Sequence, residues 1–199
     1  MTKARELSDY TGLQGDLALK SPIASPSFTG NVGVGVVPES GWSSYSALQI
    51  GGTGSLFSST AAGAGSATQF ANNVYRDGSG NYKYIVTDEA SRTYQESGAH
   101  VFQVAPSGTA DAAISWTTAM TIDNAGIVTK PYQPAFSVYK SIAQNNIPTA
   151  TDTLITWGTE IYDVGSNFAS NTFTAPVTGK YFLNTGIRVD SMDAVHYYN

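Results

Sequence analysis

Residues 17–35 read LALKSPIASPSFTGNVGVG, and this stretch decides the fold that we expect of the chain. Pro22 and Pro26 each fix φ and force the preceding residue into an extended conformation. Three glycines then interrupt a run of alternating polar and apolar residues between positions 30 and 35. Because no helix can cross this segment, the sequence predicts a change here from a compact or helical start to an extended, β-rich chain.

The composition favours a protein that associates with copies of itself. Charged residues make up 13 % of the 199 residues, against roughly 25 % in ordinary globular proteins. The chain has 20 Gly and 12 Tyr, which is typical of all-β proteins that pack against one another. Since a surface with few charges is poorly soluble when it stays exposed, self-association is the simplest expectation.

The charge and the absence of cysteine exclude several classes of function. The formal net charge is −5, so there is no basic patch to bind a nucleic acid. Without cysteine, neither a disulfide framework nor a Cys-based zinc site can form. The first residues, MTKARELSDY, lack the apolar core of a signal peptide, and no run approaches the ~20 apolar residues of a membrane span. We therefore expect cytosolic synthesis and no membrane insertion.

The first 20 residues are the one segment with a plausible helix. Tyr10, Leu13 and Leu17 are spaced by three and four residues and would form a narrow seam on one helical face. Two glycines in the segment each weaken a helix by about 1 kcal/mol relative to Ala, and a lone helix of this length is marginal in water. The segment either forms a helix, within a three-chain bundle or docked on a larger particle, or it is a frayed terminus.

Residues 27–122 are predicted to contain short strands joined by Gly/Ser turns, with residues 61–72 as a connector or a close-packed three-fold axis. Turns are predicted at residues 77–81 and 123–126, where Asp precedes Gly, Ser or Asn. The predicted strands are Ser27–Gly30, Asn31–Val37, Ala47–Ile50, Ala71–Val74, Asn81–Val86, His100–Ala105 and Ala113–Ile122.

The last of these strands has the clearest alternation in the chain. Ile114, Trp116 and Met120 should share one face with Thr118 and Ile122, so that this face lies in a core or against another chain.

Lys130–Pro134 has the composition of a linker, and we place a domain boundary there. Beyond it, the string KYFLNTGIRV alternates regularly and predicts another strand, with Tyr181, Leu183 and Ile187 on one face.

Three motifs in the first 130 residues resemble segments of tailed-bacteriophage tail fibres. LALKSPIASPSFTGNV resembles the LALK-x-P-x-x-SP-x-FTG-x-V segment of these fibres, NVGVGVVPESGW followed by ALQIGGTGSLF resembles units that precede trimeric knobs, and MTIDNAGIVTKP resembles a segment of the knobs themselves. The resemblance implies an elongated, intertwined homotrimer. Residues 1–25, including Tyr10, Leu13 and Leu17, would attach it to other virion proteins of the tail or baseplate, and residues 26–130 would form a β-meander shaft and knob.

A further resemblance lies beyond the linker. FTAPVTGKYFL, preceded by EIYDVGSNF, resembles the core of the C1q/TNF-like jelly roll, in which a Tyr-Phe strand lines the trimer interface. It implies a partial C1q-like head over residues 135–199, incomplete at Asn199. Either the natural product continues, which is the alternative we favour, or partner chains complete the sheet. The trimer interface would include Tyr181 and Leu183, together with the following residues of the shaft: Ile114, Trp116 and Met120.

No catalytic, cofactor-binding or metal-binding residues are predicted. The acidic residues mostly neighbour Gly, Ser, Asn or Thr in turns, where Asp bonds its own backbone. His100 and His196 lie near no G-x-S-x-G nucleophile motif, and residues 77–81 match only part of a calcium loop. The chain is therefore predicted not to be an enzyme.

The tyrosines are either receptor-binding residues or residues buried between subunits, since aromatic faces stack on sugars but also fill interfaces. Tyr162, Tyr197 and Tyr198 are the candidates for contact with a cell-surface glycan or protein. The sequence thus predicts an all-β virion fibre that attaches a phage to its host through trimeric avidity. The alternatives are a capsid head fibre or decoration protein, a polysaccharide-degrading tailspike, and a secreted C1q-like protein, against which the missing signal peptide argues.

Overall fold

The computed structural model describes residues 28–148 and 151–190, and every regular element within them is a β-strand. The prediction of an all-β fold is confirmed for these residues, and the predicted helix within residues 1–20 lies outside them. The strands are β1 (Val32–Val34), β2 (Tyr45–Ile50), β3 (Gly54–Ser59), β4 (Thr68–Asn72), β5 (Tyr75–Arg76), β6 (Tyr82–Lys83), β7 (Asp88–Glu96), β8 (Ala99–Gly108), β9 (Thr117–Ile122), β10 (Val128–Thr129), β11 (Ala135–Tyr139), β12 (Thr159–Val164), β13 (Phe168–Ala169) and β14 (Thr172–Phe173).

Eight strands form one large sheet in the order β1-β2-β3-β4-β7-β8-β9-β10. β1 pairs with β2 in parallel, and all other neighbours are antiparallel. The two faces differ because side chains alternate along each strand. In β2 and β3, for example, Ala47 and Phe57 are buried on the inner face, whereas Ile50 and Leu56 are exposed on the outer face.

The hydrophobic core lies on the inner face of this sheet. Trp42, Val74 and Tyr84 come from the connections and cover inward-facing residues such as Ala47 and Phe57. Trp42 and Phe57 pack with ring centroids 4.9 Å apart. Large aromatic side chains bury much apolar surface each, so a few of them are enough to close a core whose sheet residues are mostly small.

The predicted aspartate turns are confirmed. Asp77 Oδ1 accepts hydrogen bonds from the backbone N–H groups of Ser79 and Asn81, at 2.9 and 2.8 Å, and closes the β5–β6 hairpin. Asp123 Oδ1 likewise accepts from the N–H groups of Ala125 and Ile127, and it closes the β9–β10 hairpin.

The predicted common face of Ile114, Trp116 and Met120 is wrong. A β-bulge interrupts the pairing of β8 with β9, so that Thr118 pairs with Gln103 while Met120 pairs with Phe102 on the opposite face of the sheet. An extra residue on one strand of a pair shifts its alternation. Ile114 and Trp116 consequently pack against the core, and Met120 lies on the outer face.

Other predicted strands differ in extent. Of Asn81–Val86, only Tyr82–Lys83 is a strand, because the next residue pairs with a loop: the N–H of Tyr84 donates to the carbonyl of Ala112 at 3.2 Å. β4 occupies part of the predicted connector at 61–72, since Gln69 and its alternate neighbours face the core. No strand covers residues 28–30.

The chain divides into two compact units between Tyr132 and Gln133, a point that lies within the predicted linker. In the second unit β11 pairs with β12 and β13 pairs with β14. The ring of Phe136 stacks against those of Phe168 and Phe173, at centroid distances of 4.8 and 5.0 Å. This aromatic stack joins the two strand pairs.

The strand predicted from KYFLNTGIRV is not formed. Residues 180–190 belong to no sheet, and two of their large side chains, Phe182 and Leu183, are 91 % and 63 % exposed. An alternating sequence becomes a strand only where a neighbouring strand accepts its backbone hydrogen bonds, and the described part of this unit offers none to this segment.

Candidate functional site

The strongest candidate for a binding site is a small pocket on the inner face of the large sheet, at the end of strands β2, β4 and β7. Its volume is about 210 Å³. It combines three tyrosine rings with polar and charged side chains, of which Gln69 is only 2 % exposed. The lining residues are Tyr45, Ala67, Gln69, Tyr82, Arg92, Tyr94 and Glu96.

The β5–β6 hairpin brings Tyr82 over the sheet and closes one side of this tyrosine pocket. Gln69 Nε2 donates a hydrogen bond to Tyr82 Oη at 2.9 Å. Because this amide is buried, it must be hydrogen-bonded to avoid a large desolvation penalty. The bond therefore fixes the position of the phenol relative to the pocket floor.

Arg92 is held in one orientation by neutral partners. Its Nε donates to Gln103 Oε1 at 2.7 Å, and its Nη1 donates to Gln69 Oε1 at 2.9 Å. The guanidinium carbon lies 4.0 Å from the ring centre of Tyr82 and 4.6 Å from that of Trp116. Gln103 is itself fixed by a 2.9 Å bond to Thr118. This arrangement preorganises the guanidinium and leaves three of its five N–H groups without a hydrogen bond to a described residue.

A second guanidinium lies on the same cluster of rings. The Arg76 carbon Cζ is 4.6 Å from the ring centre of Tyr45 and 4.7 Å from that of Tyr82. Among the described residues, ion pairs form between Lys83 and Asp77 and between Arg188 and Asp190. Neither Arg76 nor Arg92 has a carboxylate within ion-pairing distance in this part of the chain, although the Glu96 carboxylate lines the same pocket as Arg92.

The outer face of the sheet is the second notable surface. We define it by three rows of cross-strand partners, which run through Leu48, Ile50 and Ser46 of β2. The rows contain Ser, Thr, Asn, Gln, Gly, His and apolar residues, and no Asp, Glu, Lys or Arg. Their members are Leu48, Leu56, Phe70, Thr93, Phe102 and Met120; Ile50, Gly54, Asn72, Ser91, Val104 and Thr117; and Ser46, Ser58, Thr68, Gln95, His100 and Ile122.

Large apolar side chains on the outer face are uncovered in the single chain. Phe70 is 60 % exposed, and Ile50, Leu56 and Val104 are between 43 % and 47 % exposed. Val34 of β1, at 54 %, extends the same face because it pairs with Ile50. Contiguous apolar surface of this kind is rare on a monomeric protein and marks an interaction surface.

The residues predicted for the trimer interface are dispersed. Ile114 and Trp116 pack on the inner face, Met120 lies on the outer face, and Tyr181 and Leu183 belong to the second unit. Among the predicted receptor residues, Tyr162 lies on β12 and is 50 % exposed. The others, Tyr197 and Tyr198, lie outside the described residues, as do the predicted attachment residues Tyr10, Leu13 and Leu17.

Sequence reasoning missed Gln69, Arg76 and Arg92. A signal for Arg92 did exist: in the strand DEASRTYQE it alternates with Ala90 and Tyr94, so it shares a face with residues of core character. No such signal existed for Gln69, whose partners lie 13 and 23 residues away along the chain.

The described residues contain no group of three or more His, Asp or Glu side chains arranged to hold a metal ion. They also include no helix with the length and apolar character needed to cross a membrane.

Comparisons of the chain with protein-family models, with curated proteins and with solved structures give no match.

Proposed function

We propose that this chain is a structural, non-catalytic virion protein that assembles as a homotrimeric tail fibre and attaches a tailed bacteriophage to its host cell. The observation that carries the proposal is the outer face of the large sheet, whose three rows contain no Asp, Glu, Lys or Arg and expose several large apolar side chains. The fibre-like motifs of the sequence supply the biological setting, and the outer face supplies a physical reason for self-assembly.

The outer face is large enough to form part of an assembly interface. Its three rows cross six strands, which at about 4.8 Å apart give a width of roughly 24 Å, and the rows span about 14 Å along the strands. The resulting area, on the order of 340 Å², is less than half of the ~800 Å² that each partner buries in a standard interface. Burial of its apolar part, at about 25 cal/mol per Å², would favour association.

Copies of this chain are the partner that we favour for the outer face. A surface without fixed charges cannot select a partner by charge complementarity, which is the usual source of specificity between different proteins. Copies of the chain are always present together where a fibre assembles. In a closed ring of three chains, the outer face of each chain would be covered by its two neighbours. The low charged fraction of the chain, 13 %, agrees with an assembly in which much of the surface is internal.

The second unit supports an intertwined arrangement. Residues 180–190 have the alternation of a strand but no sheet partner among residues 28–148 and 151–190, and they expose Phe182, Leu183 and Ile187. We infer that a neighbouring chain supplies the missing strand partner. In this proposal residues 135–199 begin the C1q-like distal head, residues 26–130 form the shaft and knob, and residues 1–25 bind the virion.

Three heads on each fibre would convert weak contacts with a cell-surface glycan or protein into durable attachment. A capsid head fibre would use the same physics at another place on the particle. Antibody labelling of intact virions, viewed by electron microscopy, distinguishes the two because the label lies at the tail in one case and on the capsid in the other.

The test is the native mass of the protein measured by light scattering on a sizing column. We expect about 63 kDa, three times the 21.0 kDa of one chain, unchanged on dilution. Phe70→Lys places a charge in the outer face and should shift the mass towards the monomer. Val37→Lys is the matched control, because Val37 is 88 % exposed and lies outside the strands.

A stable monomer in the unsubstituted protein would overturn the trimer. A trimer that Phe70→Lys leaves intact would show that the chains associate through another surface. Adsorption is tested separately: excess purified protein should compete with phage for host cells, and failure to compete would refute the receptor-binding role.

A further inference from the structure

We propose that the tyrosine pocket of the large sheet binds an acidic sugar, that is, a saccharide unit that carries a carboxylate. The inference rests on the proposed function in one respect: an adsorption protein needs a glycan or protein ligand, and the pocket supplies a site for the first. The site lies in the first unit.

The guanidinium of Arg92, unpaired among the described residues, points to an anionic group on the ligand. Arg92 is partly buried, preorganised by Gln69 and Gln103, and without a carboxylate partner among the described residues. A guanidinium in such surroundings binds a carboxylate or phosphate through paired N–H donors. Arg76 also lies on the ring of Tyr82, 4.7 Å from its centre, but it does not line the pocket. The anion is therefore expected to bind to Arg92.

Glu96 makes a hydroxyl-rich ligand preferable to a simple anion. It lines the same pocket as Arg92, four residues along β7, so the two side chains start about 13 Å apart along the strand. An ionised carboxylate only accepts hydrogen bonds and therefore needs donors. A sugar acid satisfies both ends, with its carboxylate on Arg92 and its hydroxyl groups on Glu96.

The shape of the pocket fits one sugar unit. Its volume of about 210 Å³ lies below the range of roughly 300–1,000 Å³ that is typical for drug-sized ligands. Tyr45, Tyr82 and Tyr94 offer aromatic surface and hydroxyl groups, so that they can contact both the C–H faces and the oxygens of a pyranose ring. All lining residues belong to the first unit, and Tyr45, Gln69, Arg92 and Tyr94 lie on strands of the large sheet.

Saturation-transfer NMR on the full chain tests the proposal. The probes are glucuronic acid, galacturonic acid and N-acetylneuraminic acid, each compared with its carboxyl-reduced form, with inorganic phosphate as competitor. We expect signal from at least one acid, binding of its reduced form weakened about ten-fold or more, and little competition from phosphate at equal concentration.

Substitutions locate the site. Arg92→Lys keeps the charge but loses the planar fork of N–H donors, and it should weaken binding about ten-fold. Glu96→Gln should also weaken binding. It is less disruptive to the fold than Arg92→Lys, because Glu96 is not part of the hydrophobic core. Glu160→Gln, at an exposed position on β12, is the matched control and should bind normally. Near-ultraviolet circular dichroism checks that each variant is folded.

The absence of signal from all three acids overturns the proposal, as does equal binding of the carboxyl-reduced sugars. Equal competition by phosphate would show a general anion site. Binding that survives both Arg92→Lys and Glu96→Gln would place the ligand elsewhere. The Phe70→Lys variant separates this result from the trimer, because it should retain sugar binding even as a monomer.

Discussion

At the scale of single residues, Tyr75 fastens the β5–β6 hairpin to the loop between β8 and β9. Its hydroxyl donates a hydrogen bond of 2.7 Å to Asp111 Oδ1. Burial, followed by this hydrogen bond and the negative charge of Asp111, raises the pKa of Tyr75 from 10.0 to about 12. Each cause favours the neutral phenol, so the contact depends on Tyr75 keeping its proton. The hairpin that it fastens also carries Tyr82 of the tyrosine pocket.

The raised pKa of Tyr75 predicts how the stability of the fold depends on pH. In the unfolded chain the tyrosine loses its proton near pH 10, whereas in the folded chain it does so near pH 12. Its contribution to the free energy of unfolding is therefore fully present below pH 10 and is lost as the pH rises to about 12. The Tyr75→Phe variant should lose less stability over this interval.

The measurement is urea denaturation of both proteins at intervals from about pH 9 upwards, with a parallel titration of tyrosinate absorbance. The difference between the two absorbance curves should have its midpoint near 12. A midpoint near 10 would contradict the assigned role of burial and of Asp111.

Some residue-scale features were predictable because they depend on neighbours in the sequence. Asp77 and Asp123 each bond backbone groups two and four residues ahead, so the turn could be inferred from the local composition alone. Arg92 was not predictable as a binding residue, because its partners Gln69 and Gln103 lie on other strands and become neighbours only through the register of the sheet.

At the scale of elements, Asn73 connects the end of β4 to the segment that leads from β6 into β7. It is 1 % exposed and has a φ of 60°. Its Nδ2 donates to the carbonyl oxygens of Val86, Asp88 and Glu89 at 3.1, 3.2 and 2.9 Å, and its Oδ1 accepts from the N–H of Val86 at 2.8 Å. One amide therefore orders a whole connection.

We expect Asn73→Asp to destabilise the fold by about 2 kcal/mol or more. The substitution keeps the shape and tolerates the positive φ, but it replaces the donor with an acceptor that faces three carbonyl oxygens. Asn124→Asp, in an exposed turn, is the matched control and should change stability by less than about 0.5 kcal/mol. Thermal unfolding at equal chain concentration compares the variants, and equal loss in both would contradict the role of Asn73.

The errors in the predicted elements have a physical origin. The alternation of residues 113–122 predicts one regular strand, but a bulge opposite Phe102 and Gln103 reverses the face between Thr118 and Met120. A bulge is a property of the pair of strands and leaves little trace in either sequence. Residues 180–190 are the converse case, since a strand-like pattern finds no partner in the described part of its own chain.

At the scale of the whole molecule, the two candidate surfaces depend on different interactions. The outer face of the large sheet has no fixed charge in its three rows, whereas the tyrosine pocket depends on the guanidinium of Arg92. Assembly through the first should follow the hydrophobic effect, and ligand binding through the second should follow electrostatics. Salt therefore distinguishes them in a single protein.

We predict that the native mass stays unchanged as sodium chloride rises from about 0.05 to about 0.5 M, because screening acts only on charges. Sulfate should stabilise the assembly, since it increases the free energy gained when apolar surface is buried. Over the same range, the binding of an acidic sugar should weaken several-fold. Light scattering and saturation-transfer NMR on one salt series measure both, with Phe70→Lys as the control that should not assemble. Dissociation by sodium chloride would mean that ion pairs hold the chains together and that the outer face is not their interface.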